Sequence, residues 1–124
     1  VALFEGAPGE PVVLDLAMLG VGSDGHTASI FPGDSAAFVA TGPCALARHP
    51  ETGQLRLTLT PAFLASAAEL VFFVTGADKA AVVAACLGDD LSLPAARIAA
   101  SHGRARWFLD RAAASLLRPP PPGD

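Results

Sequence analysis

The sequence has few cysteines and no long apolar run, and both shortages exclude classes of protein. Cys44 and Cys86 are the only cysteines among 124 residues, and they lack the Cys-x-x-Cys or Cys/His spacing of a metal site. We interpret both as free thiols in a reducing compartment, with a disulfide of a secreted protein as the alternative. No apolar run approaches the roughly 18 to 20 residues that span a bilayer, and the sequence contains no charged segment followed by an apolar one of the kind found in signal peptides. These features predict a cytoplasmic protein without a membrane partner.

Cations are also scarce, which argues against a nucleic-acid partner. Eight basic and 12 acidic side chains give a net charge of -4 and a pI ≈ 5.2, and the basic residues form no cluster with interleaved aromatics. Anionic small molecules remain candidate ligands if cations converge locally. The only lysine, Lys79, is therefore notable.

The hydrophobic content of 52% is typical of one globular domain, to which we assign residues 1–118. Residues 119–124 form a Pro-rich tail that we expect to be disordered. Strand-like runs alternate with helix-like segments, which predicts an α/β fold whose largely parallel sheet is flanked by helices. The predicted strands are 12–19, 54–59, 70–74, 96–99 and 105–109, and the predicted helices are 27–31, 61–68, 78–87 and one that Asp110 caps. The first strand is apolar enough for burial on both faces, and residues 34–53 are expected to form a loop.

The loop after the first strand brings together residue types that carry out proton transfer. Gly20, Gly22 and Gly25 fall close together and allow the backbone to turn sharply and to approach a ligand. Asp24 and His26, one glycine apart, can orient and move protons at neutral pH. Polar groups just beyond a buried parallel strand usually line a ligand crevice. The pattern predicts an active-site loop with Asp24 and His26 as its catalytic residues.

Several residues in and near this loop have two possible roles. His26 could hold the turn by local hydrogen bonds, or it could act as a general base whose tautomer Asp24 fixes, and its position favours the second. Thr27 and Ser29 are candidates to donate hydroxyl groups to a ligand or to cap a short helix. Asp15, within the first predicted strand, is expected to be structural.

Other motif interpretations are weaker. Residues 20–25 match the Gly-x-Gly-x-x-Gly dinucleotide pattern, but Pro32 interrupts the helix that it requires and no acidic strand end follows about 20 residues later. A serine nucleophile elbow would need glycine in place of Val21, and no Gly-x-x-x-x-Gly-Lys-Ser/Thr phosphate loop is present. The two remaining histidines, His49 and His102, lack the spacing of metal ligands, so we expect surface histidines and no metal site.

Lys79 and Arg56 are candidates for binding an anion. A helix that begins at Asp78 places Lys79 in its first turn, where the helix dipole disfavours a cation. An anionic ligand would remove the conflict, because a phosphate can bind both the lysine and the free N–H groups of that turn. Arg56 is a weaker candidate and could equally be an outward-facing strand residue.

Residues 20–33, Gly-Val-Gly-Ser-Asp-Gly-His-Thr-Ala-Ser-Ile-Phe-Pro-Gly, closely resemble the signature of the 6-phosphogluconolactonases, from which only Ile30 departs, conservatively. The similarity covers nearly the whole chain and continues through residues 55–61, 70–80, 93–95 and 107–113. Ala65 is a further departure, since the family usually has asparagine there. The resemblance is to the carboxy-terminal half of the family, so it implies that residues 1–118 are the carboxy-terminal part of a single domain of this kind, whose fold is incomplete here. The Ser-Gly-Gly phosphate loop and Asp-Glu-Arg segment of the amino-terminal half have no counterpart here.

The resemblance implies a Rossmann-like three-layer α/β fold and hydrolysis of 6-phosphoglucono-1,5-lactone to 6-phosphogluconate, without a metal or an organic cofactor. His26 would activate water, and Asp24 would orient the imidazole or a substrate hydroxyl. The candidate substrate-binding residues are Gly22, Gly25, Thr27, Ser29, Arg56 and Lys79.

Two other functions are kept as alternatives. Glucosamine-6-phosphate deaminases and isomerases share the Asp-Gly-His sequence, but there the histidine is followed by a segment ending Phe-Asn-Glu-Pro, whose glutamate assists ring opening. Residues 30–32 here are Ile-Phe-Pro, without a glutamate, which favours the lactonase. The second alternative is a non-catalytic sugar-phosphate-binding domain, against which the intact Asp24 and His26 argue.

Overall fold

The computed structural model describes residues 10–119 and 122–123, so the start of the predicted domain and part of the predicted Pro-rich tail lie outside the described residues. The elements in chain order are β1 Leu16–Leu19, α1 Ser35–Val39, β2 Cys44–Arg48, β3 Leu55–Leu59, α2 Pro61–Ala65, β4 Glu69–Val74, a 3₁₀ turn Ala77–Lys79, α3 Ala80–Leu87, α4 Pro94–His102 and β5 Arg106–Leu109. These elements confirm the predicted α/β fold. Within the described residues, no helix has the length and apolar character needed to cross a membrane.

The main sheet is parallel and has the strand order β1–β4–β5. Leu16 to Leu19 pair with Glu69 to Phe72, and Val71 to Val74 pair with Arg106 to Leu109. The predicted strands at 70–74 and 105–109 are thus confirmed. Because the three strands run in the same direction, their carboxyl ends meet at one edge of the sheet. The loop after β1 and the turn after β4 therefore lie side by side.

The core lies on one face of this sheet. Phe72 is fully buried, and its ring stacks on Trp107 of the neighbouring strand with 4.3 Å between ring centroids. Leu64 of α2, Val83 of α3 and Ile98 of α4 belong to the same buried cluster. The helices therefore pack against the Phe72 face of the sheet.

Several large side chains on the opposite face of the sheet are exposed, although Val71 of β4 is buried there. Met18 is 66% exposed and Phe73 is 57% exposed, and Leu16 and Phe108 are exposed with them. The expectation that the first strand is buried on both faces is therefore wrong for Leu16 and Met18. Side chains alternate between the faces of a strand, and the described helices cover only the face that carries Ala17.

The segment 34–53, expected to be a loop, contains α1 and the first strand of a β-hairpin. Asp34 begins the helix, since its carboxylate accepts a hydrogen bond of 3.2 Å from the backbone N–H of Ala37. β2 and β3 then pair antiparallel, with Leu46 opposite Leu57. The prediction was wrong because the frequent glycines and prolines indicate turns, whereas the strand is stabilised by pairing with the predicted strand at 54–59.

Residues 96–99, expected to be a strand, lie inside α4. Pro94 takes the first helical position, where its missing N–H costs nothing, and Gly103 ends the helix with a left-handed φ of 82°. The alanines between them favour a helix more than a strand. The proline that starts the helix and the glycine that ends it, rather than the short apolar run around Ile98, decide the structure here.

Two shorter helices were also predicted incorrectly. Residues 27–31 form turns, because Ala28 has a left-handed φ of 50° that a right-handed helix does not accept. The segment after Asp110 is a succession of turns. Asp110 nevertheless caps it as expected, accepting a hydrogen bond of 2.7 Å from the backbone N–H of Ala113.

The position of Leu64 in the core leads to a stability prediction. Leu64 is 1% exposed, whereas Leu91, in the connection between α3 and α4, is 52% exposed. We expect Leu64→Ala to lower the free energy of unfolding by about 2 to 5 kcal/mol, because it leaves a cavity, and Leu91→Ala to lower it by less than about 1 kcal/mol. Urea unfolding monitored by Trp107 fluorescence measures both, and equal losses would contradict this description of the core.

Candidate active site

The loop after β1 is folded mainly by its own backbone. The N–H of Gly22 donates to the carbonyl of His26, and the N–H of Gly25 donates to the carbonyl of Gly22, both at 2.9 Å. These two donors are used to close the loop, and their predicted role in substrate binding stays a prediction. The carbonyl of Gly25 accepts a further bond of 3.1 Å from the backbone N–H of Ala95 in α4. The loop is therefore fixed both internally and to the helical layer.

Asp24 and His26 form a close pair inside this loop. Asp24 Oδ1 lies 2.5 Å from His26 Nδ1 and also accepts a hydrogen bond of 3.0 Å from the backbone N–H of His26. Partial burial acts to raise the pKa of Asp24, but the hydrogen bonds and the charge of His26 outweigh it and hold this pKa below its ordinary value of 3.8. The carboxylate is therefore ionised at neutral pH.

The ionised carboxylate determines the tautomer of His26. A carboxylate without a proton accepts hydrogen bonds, so the proton of neutral His26 lies on Nδ1, facing Asp24. The other ring nitrogen, Nε2, then carries a lone pair and can accept a proton. This arrangement is the one that a general base requires, and the catalytic roles of Asp24 and His26 stay a prediction.

Gly22 allows the imidazole to occupy this position. A Cβ atom at residue 22 would lie 2.1 Å from both Nδ1 and Cε1 of His26. Gly25 is constrained as well, because it has a left-handed φ of 87° and a Cβ atom there would lie 2.7 Å from Cδ2 of Leu93. Both glycines are thus required by the close approach of protein side chains, whereas the sequence pattern suggested the close approach of a ligand.

Lys79 reaches the same loop from the next strand of the sheet. It is the last residue of the 3₁₀ turn after β4 and immediately precedes α3, so it lies at the amino end of that helix as predicted. Its Nζ donates a hydrogen bond of 2.7 Å to the carbonyl of Val21. The ammonium group and the positive end of the helix dipole therefore lie next to each other.

His26 and Lys79 line one cavity, with a volume of ≈ 340 Å³. Its other lining residues belong to the loop and are Gly20, Val21, Gly22, Thr27 and Ala28. An imidazole and an ammonium group are therefore brought together at the carboxyl edge of the sheet. Four candidates, Asp24, Gly25, Ser29 and Arg56, lie outside the described lining of this cavity.

The hydroxyl of Thr27 is used within the protein. Thr27 is 1% exposed, and its Oγ1 donates a hydrogen bond of 2.8 Å to the carbonyl of Gly20. Ser29 is held by its backbone, since its N–H donates at 3.1 Å to Oγ1 of Thr58 in β3. Sequence reasoning missed Thr58. A threonine on the buried side of an amphipathic strand was the available signal, because a buried hydroxyl needs a partner.

Phe31 was also missed, and it links the loop to the hairpin. Its ring centroid lies 5.0 Å from that of His26 and 5.0 Å from that of His49, and the guanidinium carbon of Arg56 lies 6.0 Å from it. Nε of Arg56 donates to Oε1 of Gln54 at 3.1 Å. Arg56 and His49 therefore lie behind Phe31, beside the site rather than in its cavity.

The remaining histidine, the cysteines and Asp15 lie outside the lining of the cavity. His102 ends α4 and its Nε2 lies 2.9 Å from the carbonyl of Ala67, and Asp15 is exposed just before β1. Cys44 and Cys86 are free thiols, and burial raises the pKa of Cys86 to about 11, which makes it a poor nucleophile. In the described part of the chain, no three His, Cys, Asp or Glu side chains form a group suited to a metal ion.

The close approach at Gly22 leads to a prediction about the loop. Gly22→Ala should displace the His26 ring from Asp24, because the new methyl group would overlap it, whereas Gly20→Ala should not, since nothing lies within 4 Å of a Cβ atom at Gly20. Histidine-selective ¹⁵N NMR can follow the proton on Nδ1. We expect the resonance of this proton to be lost in Gly22→Ala and retained in Gly20→Ala. Retention in both variants would show that the ring position does not depend on Gly22.

Comparison with known proteins identifies a family and several relatives of this chain. The family model for glucosamine-6-phosphate isomerases/6-phosphogluconolactonase matches residues 2–107. The chain is 39% identical over 108 residues to 6-phosphogluconolactonase of Haemophilus influenzae, covering 85% of this chain and 46% of that protein. It is 43% identical over 114 residues to 6-phosphogluconolactonase of Rattus norvegicus, covering 87% and 43%.

A solved structure gives the same relationship. That of 6-phosphogluconolactonase from Trypanosoma brucei matches with a TM-score of 0.72 and 37% identity, covering 86% of this chain and 43% of the other. The chain thus spans a little under half the length of the curated relatives named here. The matches in sequence and in structure agree with each other, and the chain belongs to the glucosamine-6-phosphate isomerase/6-phosphogluconolactonase family.

Proposed function

We propose that the protein containing this chain hydrolyses 6-phosphoglucono-1,5-lactone to 6-phosphogluconate, with His26 as general base. The observation that carries the proposal is the Asp24–His26 pair, 2.5 Å apart, in a loop whose cavity is shared with Lys79. The relatives named 6-phosphogluconolactonase support the choice of reaction. Lactone hydrolysis needs a proton acceptor for water and a means of holding the substrate phosphate, and these side chains supply both.

The proposed steps follow from the tautomer of His26. Nε2 takes a proton from water while the water oxygen forms a bond to the lactone carbonyl carbon. Asp24 stabilises the imidazolium that forms and keeps its ring in place. The tetrahedral oxyanion collapses with cleavage of the bond between the carbonyl carbon and the ring oxygen, and the proton on Nε2 passes to that oxygen. The products are the carboxyl group and the free hydroxyl of 6-phosphogluconate.

Lys79 is proposed to bind the substrate phosphate. Its ammonium group lies at the amino end of α3, where a cation is disfavoured unless an anion binds beside it. Its present partner is a neutral carbonyl, that of Val21, which leaves its charge uncompensated within the described residues. The phosphate lies at the far end of the substrate from the carbonyl, so its binding energy would serve to orient the lactone. Arg56 remains a weaker candidate, since it lies behind Phe31.

The remaining predictions about partners and compartment are proposed on chemical grounds. A net charge of -4 agrees with a small-molecule substrate and no nucleic-acid partner. Two free thiols agree with a reducing compartment such as the cytoplasm. The chemistry assigned to His26 needs no cofactor.

The first test is hydrolysis of freshly prepared 6-phosphogluconolactone, corrected for spontaneous hydrolysis, by the protein expressed from its natural reading frame. We expect His26→Asn to lower kcat by about 10²- to 10⁴-fold, the usual contribution of a general base. His102→Asn is the matched control, since His102 lies at the end of α4 away from the cavity, and its kcat should stay near that of the wild type. A folded wild-type protein without activity would overturn the proposal and direct attention to glucosamine 6-phosphate.

The second test concerns Lys79 and the phosphate. Lys79→Met should lower kcat/KM for the phosphorylated lactone by about 10- to 100-fold, because a hydrogen bond to a charged group contributes about 1.5 to 3 kcal/mol. With unphosphorylated glucono-1,5-lactone the variant and the wild type should have similar kcat/KM. Equal losses on both substrates would instead assign Lys79 to holding the loop through Val21.

A further inference from the structure

We infer that Thr58, a residue of the hairpin, positions His26 by holding a strained backbone conformation at Ala28. This inference rests on the proposed function and adds a positioning residue to it. Thr58 lies outside the signature loop, and nothing in its local sequence associates it with proton transfer. Its connection to His26 exists only because the hairpin packs beside the loop.

The strain lies at Ala28. Its φ of 50° is in the left-handed region, which is costly for residues with a Cβ atom and is favoured by glycine. Ala28 follows His26 by two residues in the chain and lines the same cavity. A non-glycine residue keeps such a conformation only where its surroundings impose it.

A turn bond of 3.0 Å from the N–H of Ile30 to the carbonyl of Thr27 closes over Ala28, and side-chain hydrogen bonds on both sides hold this turn in place. On one side, Oγ1 of Thr27 donates to the carbonyl of Gly20 at 2.8 Å. On the other side, the N–H of Ser29 donates to Oγ1 of Thr58 at 3.1 Å. The first bond lies within the loop. The second is the hydrogen bond that ties this part of the loop to the hairpin, beside the contacts that the Phe31 ring makes with His49 and Arg56.

The hydroxyl of Thr58 is oriented to accept this bond. Thr58 is 4% exposed, pairs with Ala45 of β2, and its Oγ1 donates to the carbonyl of Leu59 at 3.0 Å. Because its proton is used in that bond, the oxygen offers a lone pair to the N–H of Ser29. Valine would fill the same space without accepting a hydrogen bond. The side chain therefore contributes through its oxygen atom, and this can be tested without creating a cavity.

The experiment uses the protein expressed from its natural reading frame and compares Thr58→Val with Thr58→Ser. We expect Thr58→Val to lower kcat by about tenfold or more with a smaller change in KM, because a misplaced base slows the chemical step. Thr58→Ser keeps the oxygen and should retain most of the activity. Thr60→Val is the matched control: Thr60 is also a buried threonine, but its Oγ1 donates to the carbonyl of Gly42, away from the loop. It should lose stability without a comparable loss of kcat.

A double-mutant cycle tests whether Thr58 affects His26 through the backbone conformation of Ala28. Glycine adopts a positive φ without strain, so Ala28→Gly removes the need for Thr58 to impose it. In the Ala28→Gly background, the loss caused by Thr58→Val should shrink to less than about threefold. An undiminished loss would overturn the inference, as would equal kcat in Thr58→Val and the wild type.

A readout without substrate separates this inference from the proposed function. Thr58→Val should weaken the ¹⁵N-detected signal of the proton between His26 Nδ1 and Asp24 and should speed hydrogen exchange at the Ser29 amide, whereas Thr60→Val should change neither. The weaker proton signal and the faster exchange would still occur if the protein were not a lactonase. Unchanged signals in folded Thr58→Val would overturn the inference whatever the activity.

Discussion

The carboxylate of Asp24 holds both the backbone N–H and the ring of His26, and the rest of the site depends on this one interaction. It fixes the tautomer, so that Nε2 is the nitrogen with a lone pair. It also imposes a tight turn, because two residues with only Gly25 between them must meet. This turn leaves no room for a side chain at Gly22, because a Cβ atom there would overlap the imidazole.

A loop this tight needs support from outside, and hydrogen bonds from three neighbouring segments supply part of it. The backbone N–H of Ala95 in α4 binds the carbonyl of Gly25, Lys79 before α3 binds the carbonyl of Val21, and Thr58 of the hairpin binds the N–H of Ser29. Backbone carbonyls and N–H groups that would otherwise lack partners are satisfied in this way. The parallel sheet makes the arrangement possible, because the carboxyl ends of β1 and β4 lie at the same edge.

The sequence predictions of strands were more accurate where the apolar run was longer. β4 was found because a continuous apolar run with a glycine after it admits few other structures. The apolar run around Ile98 was too short to distinguish strand from helix, and the signals at Pro94 and Gly103 decided for the helix. The hairpin was missed because β2 alternates weakly, and a strand of this kind is stabilised by its partner rather than by its own residues.

The sequence by itself determined the chemistry of the loop, because Gly22, Asp24 and His26 interact over a few residues and their geometry is local. The pairing of His26 with Lys79, 53 positions apart, was expected from chemistry, but only the parallel sheet brought them to one cavity. The roles of Phe31 and Thr58 were decided by tertiary structure alone. Their contacts join segments far apart in the chain, and which segments meet depends on how sheet, hairpin and helices pack, which no local pattern of residues specifies.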